Sequence, residues 1–437
     1  MAAASALPNE NRYLGELGPK LYMRLGGLGI LLIAGSYGLS KLMGDDSARF
    51  WRAYLVAYFF VLSICLGALF FTILQHLTRA GWSVVVRRIS EGLVANLKWI
   101  WIGFIPIIVL VWTGNAHELY HWTVGADALP EGSPEQAMLE YKDAYLNPMF
   151  WTLRAAAYFV IWFVLARFFV GNSIAQDTTG DAKTTTRMQT IAAPAMLLYA
   201  FTQSYAAIDW IMTLEYAWFS TMFGVYFFAA SCCGFGATLI LMVSFLQKTG
   251  RVTQSITTEH HQEMGKFLFA FGIIFWAYIG YSQYMLIWYA NIPEETTWFM
   301  IRQLGSWKWL SYLIIFGHFF VPFIVLLSKH PKRFKIMLVS ACLWLFAIHY
   351  VDMYWLTMPS IPMEMFAEAT SYEALSIDFP VSQYAAEYDL SFQFFDLTLW
   401  LGFACLMFGG AAFALRNQAL IPEHDPRLYE SLAYENI

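Results

Sequence analysis

The pattern of apolar and polar positions divides the chain into ten long apolar stretches joined by shorter polar segments. A helix needs about 20 mainly apolar residues to cross the roughly 30 Å hydrocarbon layer of a membrane. The stretches are 25–43, 51–75, 93–113, 149–170, 190–212, 219–246, 265–290, 306–327, 334–356 and 392–415. The pattern therefore predicts an all-α integral membrane protein with about ten transmembrane helices.

The positions of lysine and arginine predict how these helices are oriented. Basic residues are retained on the cytoplasmic side of a membrane. Of the 26 lysines and arginines, about 19 lie in the two terminal segments and in the loops on the same side. The loops 114–148 and 357–391, on the other side, are rich in Asp and Glu. Lys41, Arg49 and Arg52 are exceptions, since they fall on the acidic side. We therefore expect both termini to be cytoplasmic.

Short sequence matches indicate an internal repeat. The pattern Tyr-Phe-Phe-x-x-Ser-x-Cys occurs in the second apolar stretch, at 58–65, and again in the sixth, at 226–233. The third and seventh stretches both end in Trp-x-x-Asn, and the fifth and ninth both end near an aspartate. The matches occur in the same order and in the same direction. They predict a parallel duplication of a four-helix unit.

The repeat defines the expected domain organisation. Residues 1–24 form a cytoplasmic N-terminal segment without a secretory signal, and residues 416–437 form a cytoplasmic tail. The membrane domain spans 25–415. Within it, helices 2–5 form a first bundle at about 51–212, and helices 6–9 form a second at about 219–356. Helices one and ten flank the two bundles.

The amino-acid composition limits the classes of protein to which this chain can belong. Of the 437 residues, 59% are hydrophobic and only 13% are charged. Globular proteins carry about 25% charged residues, so these charges are too few for a water-soluble particle. This excludes a cytosolic enzyme and a nucleic-acid-binding protein. The five cysteines lie in apolar stretches without the spacing of a haem c, zinc or iron–sulfur motif. We expect this chain to bind no metal and no redox cofactor.

Ionisable residues inside the apolar stretches are the first candidates for function. A charged side chain at the membrane centre costs on the order of 2.5–3.5 kcal/mol, so such residues commonly line ion or proton paths. Asp209, Asp352 and Asp396 all fall near the outer ends of their helices, and His349 precedes Asp352 by one turn. Arg154 enters its helix at a similar depth and is a candidate ion-pair partner. The alternative is that these are interfacial residues solvated by water or loops.

Further polar residues lie deeper in the predicted membrane layer. Gln203, Gln283 and His318 could connect the aspartates to the inner side. Histidines and carboxylates exchange protons, and amide side chains hold the water molecules that link them. A core histidine bonded to a backbone carbonyl is the alternative for His318. The pair His260 and His261 is predicted to lie in a solvated loop, where nothing completes a metal site.

The ten-helix plan and three sequence stretches carry a resemblance to a known family. The stretches are His-Glu-Leu-Tyr-His-Trp at 117–122, Asp-Trp-Ile-Met-x-Leu-Glu at 209–215 and Asp-Met-Tyr-Trp-Leu-x-Met-Pro at 352–359. Over essentially its whole length, the chain resembles the membrane subunits of the polysulfide reductase (NrfD-like) superfamily. Within that superfamily it is most similar to the F subunit (ActF) of bacterial alternative complex III.

This resemblance implies a multi-pass subunit of a respiratory quinol:electron-acceptor oxidoreductase in the bacterial inner membrane. The implied substrate of such a complex is menaquinol or another quinol. The implied partners are membrane lipid, a paralogous NrfD-like subunit, a multi-haem cytochrome c and an iron–sulfur subunit, which carry the haem c and iron–sulfur clusters. For this chain the resemblance implies a scaffold with no catalytic residue and a proton path through Asp209, Asp352, Asp396, His349 and His318.

Three alternatives stay open at this point. Parallel repeats also occur in stand-alone secondary transporters, although the prolines of the two halves do not match. A quinol-binding membrane anchor with its own quinol site would need hydrogen-bond donors in an aromatic slot. A subunit with haem b would use His318 and His349, whose predicted depths differ by roughly 8 Å.

Overall fold

The structure is a computed structural model, and the residues it describes are 7–44, 48–303, 305–359, 390 and 392–436. It confirms the predicted all-α integral membrane fold. In the described chain, nine helices are long and apolar enough to cross a membrane, and a bent pair of helices brings the number to ten. Most of the acidic segment 357–391 lies outside the described residues.

The ten helices follow the predicted apolar stretches closely. In chain order they are α1 (Leu17–Leu42), α2 (Ala48–Leu77), α3 (Val84–Lys98 with Ile100–Trp112), α4 (Pro148–Thr179), α5 (Ala182–Glu215), α6 (Phe223–Lys248), α7 (Thr258–Ala290), α8 (Trp307–Leu327), α9 (Lys335–Thr357) and α10 (Phe394–Leu415). The main difference is α3, which begins well before its apolar stretch and bends by 47° between its two parts.

Two helices, one from each half of the sequence repeat, form the centre of the molecule. The most apolar part of α2 is completely buried, and 83% of that of α6 is buried. The two helices pack against each other, and α9 packs against both. They approach closely at Gly67, where a Cβ atom would lie 2.7 Å from the Cβ of Phe235. Glycine is therefore required at this crossing. In contrast, α1 packs mainly against α10 at the edge.

One end of the helix bundle, which we call the tail face, is covered by the terminal segments of the chain. The backbone N–H of Leu420 donates to the carbonyl of Arg12 at 2.7 Å. The tail is also held by charge, since Arg87 at the start of α3 pairs with Asp425 at 2.5 Å. Arg87 is almost completely buried. The terminal segments therefore pack as part of the folded domain.

The opposite end, which we call the aspartate face, holds Asp209, Asp352 and Asp396. Two of the basic exceptions to the predicted orientation, Arg49 and Arg52, also lie there at the start of α2. Both are largely buried: Arg49 pairs with Asp396, and Arg52 donates to a backbone carbonyl at 3.0 Å. These two arginines are internal partners of the fold and not part of a solvated loop.

Candidate proton-transfer site

Asp352, near the C-terminal end of α9, is fully buried and receives its hydrogen bonds from neutral groups. The Tyr226 hydroxyl of α6 donates to Oδ1 at 2.7 Å, and the Trp276 indole N–H of α7 donates to Oδ2 at 3.0 Å. The Nδ1 atom of His318, on α8, lies 3.7 Å from Oδ2. Among the described residues, no lysine or arginine contacts this carboxylate. Four helices thus meet around one acid that lacks a permanent cation.

The ring of His318 is fixed in position on two sides. It stacks on Trp276 with 3.8 Å between the ring centroids, and its Nε2 lies 3.1 Å from the carbonyl oxygen of Gly272. A carbonyl only accepts hydrogen bonds, so Nε2 carries the hydrogen. The other nitrogen, Nδ1, has no hydrogen-bond partner in the described part of the chain. The nitrogen that faces Asp352 is therefore the one free to take up a proton.

The backbone on both sides of this contact departs from α-helical geometry. His318 lies in the π-helical segment Ile315–Phe320 of α8, and Gly272 lies in the π-helical segment Leu268–Ile274 of α7. π-Helical turns are rare and occur often at functional sites, because they re-aim side chains and free carbonyls from the helical ladder. Here the two widened segments supply the histidine and the carbonyl that orients it.

His349 lies one turn before Asp352 on α9 and connects the site to α2. Its Nε2 lies 2.8 Å from the Ser63 hydroxyl, which in turn donates to the carbonyl of Phe60 at 2.9 Å. Because the serine hydrogen is used there, Nε2 of His349 is the donor, and its Nδ1 has no partner among the described residues. A Cβ at Gly234 would lie 2.5 Å from this Nε2, so glycine makes room for the ring.

Asp209, near the end of α5, has a different environment from Asp352. Arg154 of α4 donates to both of its carboxylate oxygens, at 2.7 and 3.2 Å. The hydroxyl groups of Tyr145 and Tyr158 also donate to it, at 2.8 and 2.7 Å. The Arg154 guanidinium lies 3.7 Å above the Tyr145 ring. The structure thus brings Arg154 and Asp209 together in a saturated, largely buried ion pair.

Asp396, at the start of α10, is also paired with an arginine. Arg49 donates to both of its oxygens, at 2.8 and 2.5 Å, and to the Tyr354 hydroxyl at 3.2 Å. The Asp396 carboxylate also accepts from the backbone N–H of Gln393 at 2.8 Å, which caps the helix. Asp396 therefore joins α2, α9 and α10. Its partner was hidden in the sequence because Arg49 lies about 350 positions earlier in the chain.

The three aspartates thus differ in how a negative charge would be balanced. Asp209 and Asp396 each have a guanidinium, which carries a permanent charge. Asp352 has only neutral donors and a histidine. A buried carboxylate without a cation is costly as an ion. Its charge must therefore be cancelled by a proton, held on Asp352 itself or on His318.

The two glutamines occupy different places. Gln203 on α5 donates to the carbonyl of Gly224 at 3.1 Å and is a buried contact between α5 and α6. Gln283 on α7 is buried, and its side-chain nitrogen has no partner among the described residues. Gln283 lines a cavity of about 920 Å³ between α7 and α8.

This cavity adjoins the Asp352 site. Its walls are mainly aromatic, and they include Tyr226, Trp276, Tyr284, Trp298, Phe319 and Trp355. Tyr226 and Trp276 are also the two donors to Asp352. At its edge, Tyr281 and Tyr312 are more than half exposed on the apolar surface of the molecule. A planar apolar molecule in this cavity would be separated from the carboxylate by one layer of side chains.

Arg302 lies behind the cavity wall formed by Trp298 and Trp355, and it was not expected from the sequence. It is 2% exposed, lies 3.4 Å above the Trp298 ring, and donates to the carbonyls of Trp355 and Leu356. Burial lowers the pKa of Arg302 to about 9, and nearby Glu215 opposes that shift. Nothing in the sequence distinguishes Arg302 from other arginines in loops.

Two further features were not predicted from the sequence: the neutral groups that donate to Asp352, and the burial of His260 and His261. Tyr226 and Trp276 look like membrane-interface aromatics in the sequence, although the shared Tyr-Phe-Phe pattern did mark Tyr226. The prediction of a solvated loop for His260 and His261 is wrong, because both are buried at the start of α7. His260 caps that helix and contacts the tail at Ser431.

Comparison with known protein families and with curated proteins finds no match for this chain. Membership of the NrfD-like superfamily therefore stays a prediction from the three sequence stretches. Within the described residues, no group of three or more His, Cys, Asp or Glu side chains is arranged to hold a metal ion. The chemistry available here is proton exchange and the binding of a ligand in the cavity.

Proposed function

We propose that this multi-pass membrane protein is the integral subunit of a respiratory quinol oxidoreductase of the alternative complex III type, and that it moves protons. It lies in the bacterial inner membrane with both termini cytoplasmic. Electrons pass through haem c and iron–sulfur clusters in its partner subunits. The observation that carries the proton role is the buried Asp352, which faces His318 and has no cationic partner in the described chain.

The pair Asp352 and His318 holds one exchangeable proton. With the proton on Asp352, both groups are neutral. With it on His318, the two charges lie 3.7 Å apart and stabilise each other. A proton that arrives or leaves therefore changes the charge of the site by one unit. Such a site responds to charge movement in a neighbouring redox subunit.

Further polar groups lie on the tail side of this pair, on α9 and α2. His349 lies one turn below Asp352 on α9. Ser63 then accepts from His349. Polar groups resume at Thr72, which lies about 14 Å further along α2. Its hydroxyl lies 3.4 Å from that of Ser90 on α3.

Complex membership is tested by purifying the full-length protein from its native membrane in mild detergent. We expect it to co-purify with c-type haem and an iron–sulfur protein. A protein that elutes alone and colourless, with no partner after crosslinking, would favour the transporter alternative. Haem b absorbance in the isolated chain would favour the di-haem alternative. Either result would overturn the proposed assembly.

The cavity favours a second candidate role, which is that the chain itself binds quinol. A quinone headgroup needs an aromatic slot with one or two hydrogen-bond donors. The cavity offers aromatic walls, the unpartnered amide of Gln283 and an opening at the apolar surface. Tyr226, which lines it, donates to Asp352. A proton released by a quinol bound there would therefore reach the carboxylate through a single hydroxyl group.

We expect a photoreactive quinone analogue to label peptides of α7 and α8, and Gln283→Leu to weaken this labelling by about threefold to tenfold, the effect of one lost hydrogen bond. Labelling is measured by mass spectrometry over a range of analogue concentrations. Gln203→Leu is the matched control, because Gln203 is a buried glutamine on α5 that does not line the cavity. Labelling that is equal in both variants, or spread over all lipid-facing aromatics, would contradict quinol binding here.

A further inference from the structure

A second cavity lies on the tail face, at the opposite end of the helix bundle from the Asp352 site. It has a volume of about 440 Å³ and lies between the end of α6, the segment that follows it, and the first residues of α7 and α9. Its lining is polar and basic, and includes Gln247, Thr253, Thr257, His261, Arg333 and Lys335. No carboxylate is among the described residues that line it.

His261 supplies an unsatisfied polar atom to this cavity. The residue is 5% exposed, and its Nδ1 lies 3.0 Å from the carbonyl oxygen of Thr257, to which it donates. Its Nε2 has no hydrogen-bond partner among the described residues. A buried polar atom without a partner costs roughly 1–3 kcal/mol. An acidic O–H group, or an anion that brings a proton to the ring, would satisfy this atom.

The cavity has a positive electrostatic character. Lys335 donates to the Gln247 side chain at 2.7 Å and has no carboxylate partner in the described chain. Arg333 is neutralised by Glu259, with which it forms an ion pair. Both α7 and α9 begin at the cavity, and the N-terminal end of a helix carries partial positive charge and free N–H groups. These features together favour an anion with several acceptor oxygens.

Apolar side chains beside the cavity indicate what the anion is attached to. Ile336 and Met337 follow Lys335 on α9 and are 70% and 43% exposed, and Phe245 on α6 is 45% exposed. They belong to membrane-spanning helices, so their exposed surface faces lipid. A free phosphate would leave this apolar surface unused, whereas a phospholipid would cover it with its acyl chains.

We propose that this cavity binds the phosphate headgroup of an anionic phospholipid. Lys335 and the protonated ring of His261 donate to the phosphate oxygens, as do the threonine hydroxyls and the helix N-termini, and the acyl chains lie along α6 and α9. The lipid thereby bridges the α6–α7 and α8–α9 connections. Basic residues at the membrane surface contribute about 1 kcal/mol each to the binding of anionic lipids.

The test uses the full-length protein, purified and delipidated in detergent, and titrated with lipid in mixed micelles. We expect phosphatidylglycerol to raise its apparent unfolding temperature, while phosphatidylcholine and inorganic phosphate do not. Lys335→Gln should lower the affinity for phosphatidylglycerol about fivefold. Lys329→Gln is the matched control, because Lys329 is an exposed lysine of the same basic segment that does not line the cavity.

His261→Phe should weaken the same response, and Lys335→Gln keeps the test decisive if that variant misfolds, because Lys335 is exposed. An equal response to phosphatidylcholine would show that the headgroup is not recognised. A response to inorganic phosphate alone would identify a free-anion site. Unchanged affinity in Lys335→Gln would place the lipid elsewhere. Each of these results would overturn the proposal.

Discussion

Asp352→Asn is expected to lower the number of protons translocated per electron, to the ratio that quinol chemistry alone sets, while the protein still folds. Asparagine has nearly the same shape but neither binds nor releases a proton. Its amide oxygen accepts from Trp276 as the carboxylate does, and its amide hydrogens reach the Tyr226 oxygen, so both contacts are kept and only the one to Tyr226 reverses its direction. The stability change should therefore stay within about 1 kcal/mol.

The measurement is the proton-to-electron ratio of the assembled complex in sealed vesicles. His318→Gln should lower the ratio in the same direction, since glutamine has no site that takes up a proton at neutral pH. The matched control is Gln176→Leu, which alters a buried glutamine of α4 that is bonded to Thr185 and lies outside the proposed path, and it should leave the ratio unchanged. If vesicles with correctly assembled Asp352→Asn keep the ratio of the unmodified complex, Asp352 carries no proton and the proposed role is wrong.

Arg154→Gln is expected to produce the largest loss of stability, about 3–5 kcal/mol, which is typical when one partner of a buried ion pair is removed. The substitution leaves the Asp209 carboxylate buried without its cation, and within the described chain the hydroxyl groups of Tyr145 and Tyr158 remain as its side-chain donors. It also removes the guanidinium from the Tyr145 ring. The loss is read as a lower apparent unfolding temperature in detergent.

A second substitution separates charge imbalance from lost packing. The double variant Arg154→Met with Asp209→Asn removes both charges and should recover much of the stability, since replacing both partners of a buried pair is often nearly neutral. Arg187→Gln on α5 changes an exposed arginine and should stay within about 0.5 kcal/mol. An Arg154→Gln protein as stable as the unmodified chain would show that this ion pair does not hold α4 and α5 together.

The two predictions depend on the same asymmetry. An aspartate lies near the end of both α5 and α9, but within the described residues only the first of the two pairs with an arginine. A permanent ion pair is a structural contact, because an arginine does not give up its proton at physiological pH. A carboxylate that faces a histidine can exchange a proton with it. In the proposed function, Asp209 therefore has a structural role and Asp352 carries a proton.

Much of the fold could be predicted from the sequence, for a simple physical reason. A membrane-spanning helix must be about 20 apolar residues long and must satisfy its own backbone hydrogen bonds, so it leaves a local signal. All ten spans were therefore predicted, although α1, α4, α5 and α7 also extend well beyond their apolar stretches and α3 begins nine residues early. Its first half is less apolar and contains Arg87 and Arg88, which are buried only because the tail and neighbouring helices pair with them.

The candidate site could be predicted from the sequence only in part. The depth of Asp209, Asp352, His318 and His349 followed from counting along each helix, and Arg154 followed as a cation at matching depth. The sequence did not predict which aspartate pairs with an arginine, because that depends on how each helix is rotated and on which helices are neighbours. Arg49 shows this, since it lies in the second helix and pairs with the first turn of the tenth.

The sequence by itself determined the number of spans, the all-α class and the set of polar residues within the membrane, because these depend on local composition. Only the tertiary structure decided that α2 and α6 are central, that Asp352 faces His318 without a cation in the described chain, and that a cavity adjoins it. Those features arise from side chains brought together from distant positions, and helix packing alone sets which of them meet.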